Sequence, residues 1–148
     1  MALILGEIYK TADLVIDNEL TKTNVTTVVG DVCVFDTDGW VQAGATSIGP
    51  FGIFLTAVTL DGTQQYVRVM KRGVVVVNKV AGNDIYPGQR VKNVAVGEID
   101  LWVAPDWPAA FNEVSCQAEI DILTQIVGVC KTKALNADTV CKVRLGAW

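Results

Sequence analysis

Residues 52–70 have the sequence GIFLTAVTLDGTQQYVRVM, and this stretch decides the fold class of the chain. Two runs rich in β-branched and aromatic residues flank a polar turn at Leu60, Asp61 and Gly62. Short apolar runs separated by Gly and Asp are typical of β-strands joined by turns. The stretch therefore predicts a strand, a turn and a second strand.

The same pattern extends in both directions along the chain. Turn residues such as Gly30-Asp31, Gly49-Pro50 and Pro87-Gly88 each precede a β-rich run, at a spacing of roughly 8–12 residues. The solid apolar run VVVV at 74–77 predicts a strand that is covered on both faces. We expect an all-β fold, either a small β-barrel or a β-sandwich.

An internal similarity predicts that this fold contains two similar halves. At a shift of 76 residues, 52–69 align without a gap on 128–145, and this alignment matches Gly52 with Gly128 and Val67 with Val143. Further upstream, VVGDVCVF at 28–35 resembles YPGQRVKNV at 86–94. We place half one at 28–80 and half two at 84–148, and expect the halves to protect each other's sheet edges.

Two segments depart from the β pattern. Residues 1–27 lack Gly and Pro after Gly6, which predicts an extended N-terminal arm with an apolar tip and room for one short strand. Residues 101–125 contain Pro105 and Pro108, which exclude a regular central strand. We expect a long ordered loop inserted into half two, with room for a short helix within 109–118.

Composition and charge limit the classes of partner. The chain has 148 residues, of which 51% are hydrophobic and 19% charged, an apolar content that indicates surface covered by protein partners. The net charge of −4 and the absence of a basic run disfavour nucleic acid. The start, MALILGEIYK, fits neither a signal peptide nor a membrane span, so we expect synthesis in a reducing cytoplasm and no membrane partner.

Residues for catalysis, metal binding or cofactor binding are scarce. The chain has no His and contains neither a phosphate-binding Gly loop nor a GxSxG motif. Asp36 and Asp38 in DTDG resemble the start of a calcium loop but lack its later ligands, so a turn is expected. We predict no enzyme, catalytic residue, metal or cofactor.

The four cysteines lack metal-site spacing. Three of them lie in apolar runs, which favours small buried thiols, while a disulfide stays an open alternative. The cysteines are Cys33, Cys116, Cys130 and Cys141.

Several aromatic residues have more than one interpretation. Trp40 follows a turn and is expected in the core. Trp102, Trp107 and Phe111 share the 101–125 loop and could fold it onto its own domain, anchor an interface or form a sugar-stacking platform. Trp148, the last residue, is expected to lie against a neighbouring surface.

The order of these elements resembles the small β-rich capsid decoration (cement) proteins of tailed double-stranded DNA bacteriophages. The similar segments are VVGDVCVF, GPFGIF, MKRGVVVV, YPGQRVKNV and IVGVCKTKALNADTVCKVRLGAW, within 28–100 and 126–148. The resemblance implies a homotrimer on the capsid exterior that binds the major capsid protein and stabilises the assembled head against internal DNA pressure. It also implies a protein made in the host cytoplasm and located in the virion.

The expected contact residues belong to the tip of the N-terminal arm, the 101–125 loop, which contains Trp and Pro, and the C-terminus. They are Leu3, Ile4, Leu5, Ile8, Tyr9, Trp102, Trp107, Phe111 and Trp148. The arm and the loop are departures from the family's pattern. One alternative function is a β-rich carbohydrate-binding module of a phage tail or cell-surface protein; a second is a small β-barrel enzyme that uses the Asp36–Asp38 carboxylate pair.

Overall fold

The computed structural model describes residues 2–9, 11, 13–105 and 112–146. The described elements are ten strands and one helix: β1 Ile8–Tyr9, β2 Val15–Leu20, β3 Val32–Asp36, β4 Gly39–Gln42, β5 Phe51–Phe54, β6 Tyr66–Asn78, β7 Arg90–Ala95, β8 Glu98–Leu101, α1 Glu113–Thr124, β9 Ile126–Cys130 and β10 Val140–Leu145. The ten described strands and single helix make this an all-β fold, as expected, and predicted turns separate most of the strands.

The strands form one curled antiparallel sheet in the order β4-β3-β5-β6-β10-β9-β7-β8, with β1 and β2 also paired to β6. The long strand β6 runs through the centre and holds the two sides of the sheet together. Its run Val74–Val77 is fully buried, as the unbroken apolar sequence predicts. The main core lies inside the curl and includes Ile53, Val91 and Val143.

The sheet consists of two units with the same order of strand pairing, unit 1 at 15–72 and unit 2 at 73–145. In unit 1 the order is β2-β6-β5-β3-β4, and in unit 2 it is β6-β10-β9-β7-β8. A parallel bridge brings the ends of each unit together, Thr21 to Trp40 in unit 1 and Lys79 to Ile99 in unit 2. In each unit, the last strand therefore curls round to meet the residue that directly follows the first strand.

Individual backbone hydrogen bonds recur at equivalent positions of the two units. The matched bonds are Thr21 N to Gln65 O (2.9 Å) with Lys79 N to Thr139 O (2.8 Å), Thr27 N to Val58 O (3.0 Å) with Ile85 N to Ala134 O (2.7 Å), and Gly30 N to Phe54 O (2.9 Å) with Gly88 N to Cys130 O (2.9 Å). Hydrogen-bond matches of this kind are independent of side-chain similarity. They relate the two units by backbone geometry rather than by sequence alone.

The two structural units begin at other residues than the two halves expected from the sequence. Unit 1 begins in β2, inside the segment predicted to be an arm, and unit 2 begins in the middle of β6. The connection between β5 and β6 is two residues longer than the one between β9 and β10. Val67 is therefore equivalent to Cys141 and not to Val143, because an ungapped alignment cannot follow a change in turn length.

The two segments that departed from the β pattern both differ from expectation. Within residues 1–27, two strands, β1 and β2, pair with β6, where an extended arm with one short strand was expected. In the 101–125 segment, residues 113–124 form α1, a longer helix placed further along than the one allowed within 109–118. No helix in the described part of the chain is both long and apolar enough to cross a membrane.

Candidate interaction surfaces

The N-terminal arm lies against its own subunit through most of its apolar residues. Gly6 N donates to Val76 O at 2.9 Å, and Ile8 and Tyr9 pair with β6. Leu3, Leu5, Ile8 and Tyr9 are half-buried, whereas Ile4 is 66% exposed. Of the predicted arm contacts, Ile4 is therefore the side chain most available to a partner.

Tyr9 joins the arm to β10 by charge and ring contacts. The Lys142 ammonium lies 3.3 Å from the Tyr9 ring centroid, within cation–π distance. The Tyr9 hydroxyl donates to Glu7 Oε2 at 3.1 Å. Desolvation and the Glu7 carboxylate raise the pKa of Tyr9, so this hydroxyl stays protonated at neutral pH.

Trp102 fixes the chain between β8 and α1. Its indole Nε1 donates to the carbonyl oxygen of Ile122 at 3.0 Å, and the Arg90 guanidinium lies 5.6 Å from its ring centroid. Trp102 is half-buried, so it combines an internal role with partial access from outside. The other aromatic residues predicted as contacts, Trp107, Phe111 and Trp148, lie outside the described residues.

Local sequence explains why α1 begins and where it attaches. The Asn112 side chain accepts a hydrogen bond from Ser115 N at 3.0 Å, which satisfies one of the free N–H groups at the helix start. At the other end, Gly49 N donates to Thr124 O at 3.1 Å. The helix is thus tied to the sheet at its C-terminal end.

Helix α1 exposes several apolar side chains and buries none of its residues. Val114 is 81%, Ile120 50% and Leu123 49% exposed. Isolated helices of this length are marginal in water, because most helical stability in proteins comes from packing one face. We call Val114, Ile120 and Leu123 the helix surface, and its exposed apolar side chains make it a candidate contact surface.

The chemistry of the helix surface indicates what would cover it. The helix contains Glu113, Glu119 and Asp121 and no Lys or Arg. At 100° per residue, Val114, Ile120 and Leu123 cover about half of the helix circumference rather than one narrow stripe. A complementary partner would be apolar with basic residues around the contact.

A shallow cleft lies beside the C-terminal end of α1, where the helix meets the sheet. The cleft has a volume of about 310 Å³ and is lined by Gly49, Pro50, Leu123, Thr124 and Ile126. Its lining lacks charged residues and cysteine, so it contains no acid–base or nucleophilic group. The cleft extends the helix surface and can accept an apolar side chain of a partner.

Sequence reasoning did not identify the helix surface, although two signals pointed to it. Residues 113–124 lack both Gly and Pro, and Asn112 directly precedes them, which is an N-cap followed by an uninterrupted helical stretch. The nearby Pro105 and Pro108 drew attention to loop structure. Apolar side chains spread around a helix also produce no clear amphipathic period.

The DTDG turn is occupied by an ion pair. Lys22 Nζ contacts Asp36 Oδ2 at 2.7 Å, and this hydrogen bond lowers the pKa of the Asp36 carboxyl. Thr37 also donates to Asp36, at 3.0 Å. Across the described residues, no group of three or more His, Cys, Asp or Glu side chains is arranged to hold a metal ion.

One buried carboxylate lies where the two units meet. Asp31 is 4% exposed and accepts hydrogen bonds from the side-chain amides of Gln42 and Asn78. The adjacent backbone also crosses between the units, since Val32 N donates to Gly97 O at 2.7 Å and Asn78 N donates to Gly30 O at 3.0 Å. Asp31 therefore holds the junction between unit 1 and unit 2.

Comparison with known proteins adds no relative to this description. No family model, no curated protein and no solved structure matches the chain. The surfaces described above are therefore interpreted from their own geometry and chemistry.

Proposed function

We propose that the chain is a capsid decoration protein that binds the outer surface of an assembled viral head and stabilises it. In this proposal it acts as a homotrimer, and the helix surface contacts the major capsid protein. The observation that carries the proposal is the uncovered helix α1, whose apolar side chains find no cover among the described residues.

The resemblance to phage decoration proteins supports the proposal from a second direction. The similar segments fall on β3, β5, the second part of β6, β7 and the β9–β10 pair. These strands belong to both units, so the resemblance follows the framework of the fold and not a single turn. The parts that depart from the family's pattern include α1 and the arm, and such added elements are suited to partner-specific contacts.

Stabilisation by such a protein follows from binding equilibria alone. A ligand that binds only the assembled shell stabilises that state by RT ln(1 + [L]/Kd), about 2.7 kcal/mol per site at a 100-fold excess over Kd. A subunit that contacts several capsid proteins at once gains effective concentration for each further contact. No catalytic group is required for either effect.

A carbohydrate-binding function receives less support from the geometry. A sugar-stacking tryptophan needs an open ring face with polar groups beside it, whereas the Trp102 indole is half-buried and lies beside Arg90. Its N–H group is already used by Ile122. We therefore favour a protein partner for this region.

The first test combines solution mass with head binding. Light scattering of the full chain is expected to give three times 15.9 kDa. Mixed with heads assembled from the major capsid protein of the same virus, the chain is expected to co-sediment with expanded heads and not with unexpanded ones. A monomer that sediments with neither form would contradict the proposal.

A matched pair of variants tests the role of the helix surface. We expect Val114→Ser combined with Ile120→Ser to weaken head binding by about tenfold or more, because both substitutions remove apolar contact area at the centre of the interface. The control is Leu60→Ser, at a side chain that is 60% exposed in the turn between β5 and β6. Equal head binding by the double variant and the control, measured by co-sedimentation, would rule out the helix as the contact.

A further inference from the structure

Two cysteines of unit 2 lie side by side on adjacent strands. Cys130 is the last residue of β9 and Cys141 the second residue of β10, and their Sγ atoms are 3.1 Å apart. The ladder pairs Cys130 with Val143, and Lys131 N donates to Lys142 O at 2.7 Å, so both thiols are on the same face of the sheet. Both side chains are fully buried.

Unit 1 shows that the core does not require thiols at these positions. The matched hydrogen bonds make Phe54 equivalent to Cys130, and Val67 equivalent to Cys141. Phe54 and Val67 are buried together in one apolar cluster of unit 1. Unit 2 therefore places two thiols in contact where its counterpart uses an ordinary hydrophobic pair.

The surroundings make the two thiols chemically unequal. The contact with Cys141 lowers the pKa of Cys130, although burial opposes this shift; backbone hydrogen bonding at Thr132 and Lys131 and the nearby Lys79 ammonium add to the lowering. The same contact, together with burial, raises the pKa of Cys141. The contact therefore lets one thiol ionise while the other keeps its proton and donates to it, and the direction of the two shifts favours Cys130 as the attacking sulfur.

We propose that Cys130 and Cys141 are a redox pair that closes into an intramolecular disulfide by exchange with a small disulfide such as oxidised glutathione. The Cys130 thiolate attacks one sulfur of the oxidant, which releases one glutathione thiol and forms a mixed disulfide. Cys141 then loses its proton and attacks Cys130 Sγ, which releases the second glutathione thiol. The protein pair is oxidised by two electrons and the oxidant is reduced by two, so the exchange balances.

The burial of the pair determines when this exchange can happen. Because neither thiol reaches solvent in the folded chain, the oxidant gains access only when β9 and β10 separate locally or before folding is complete. Once formed, the bond ties the two strands that carry the end of unit 2. The bridge would then act as a staple that makes the fold harder to open.

The test measures thiol content and thermal stability of the full chain after oxidation. The chain is incubated with oxidised glutathione in mild urea and then diluted. The number of free thiols is expected to fall from four to two, and the intact mass is expected to fall by two hydrogen atoms. Peptide mapping should locate the bridge at Cys130 and Cys141. The melting temperature should rise by about 5–10 °C, and a reductant should reverse the change.

Variants separate this pair from the other two cysteines. A Cys33→Ala and Cys116→Ser double variant should still lose two thiols. With Cys141→Val added, no bridge should form, and Cys130 should stay joined to glutathione as the mixed disulfide. Val is the residue at the equivalent position of unit 1, so this variant is expected to fold. A bridge to Cys33 or Cys116, four thiols after treatment, or an unchanged melting temperature would each overturn the proposal.

Discussion

Replacing Gly128 by alanine is expected to lower the free energy of unfolding by about 3 kcal/mol. A Cβ atom at this position would overlap the carbonyl oxygen of Arg144 and lie 2.9 Å from Val143 Cγ1. Gly128 pairs with Leu145 in the β9–β10 ladder, so the carbonyl cannot move away without loss of strand pairing. The measurement is urea unfolding followed by tryptophan fluorescence.

Two other glycines calibrate this result. Gly44→Ala is the matched control, because its added Cβ would meet only Ser47 Oγ, at 3.9 Å, and the change should stay within about 0.5 kcal/mol. Gly52 is the counterpart of Gly128 in unit 1, and a Cβ there would overlap a Val69 methyl and lie 3.2 Å from Met70 O. Because its nearest contact is a side chain rather than a backbone oxygen, Gly52→Ala should fall between the two. If Gly128→Ala and Gly44→Ala unfold at the same urea concentration, the close approach of β9 and β10 is wrong.

The strands were predictable because their signals are local. Gly and Asp turns delimit β3, β5 and β6, and a β-rich run between two turns has few alternatives to a strand. The match of Gly52 with Gly128 also identified two structurally equivalent positions, since both glycines admit a neighbouring strand. These features depend on the residues themselves and not on distant parts of the chain.

The N-terminal segment was not predictable in the same way. β2 has the sequence VIDNEL, a largely polar run whose place in a sheet depends on the partner strand. That partner is the first part of β6, about fifty residues later in the chain, so no local sequence signal predicts the pairing. An extended arm was the natural interpretation of a segment that has no Gly or Pro after Gly6, although β2 completes unit 1 and β1 pairs with the second part of β6.

For the helix surface, the composition of the chain was informative but did not indicate its position. The apolar excess of the sequence indicated covered surface, but not which residues form it. Of the predicted arm residues, Leu3, Leu5 and Ile8 lie largely against their own subunit. Val114 of α1, by contrast, is the most exposed of the large apolar residues that the structure describes. Exposure is a property of tertiary packing, so composition alone cannot assign it to particular residues.

The buried carboxylate at the junction of the units leads to the second large effect. Asp31→Ala is expected to lower the free energy of unfolding by about 3 kcal/mol, because the amide groups of Gln42 and Asn78 lose their shared acceptor. The control is Gln89→Ala, at the equivalent but exposed position of unit 2, where the side chain accepts one bond from Tyr86 N at 2.7 Å. Loss of that bond should cost about 1 kcal/mol or less.

The pH dependence of stability gives Asp31 an independent signature. Burial raises its pKa above the ordinary value of 3.8, although the bonds from Gln42 and Asn78 oppose this shift. The folded chain therefore binds the proton more tightly than the unfolded chain, and this contribution to stability is present below pH 3.8 and lost as pH rises through the raised pKa. Asp31→Asn removes the titrating group. The urea midpoint of the natural chain, relative to that of this variant, should therefore be highest below pH 3.8 and should fall as pH rises through the raised pKa of Asp31. A difference that stays constant with pH, or that grows in favour of the natural chain as pH rises, would show that Asp31 is not the desolvated carboxyl that joins the two units.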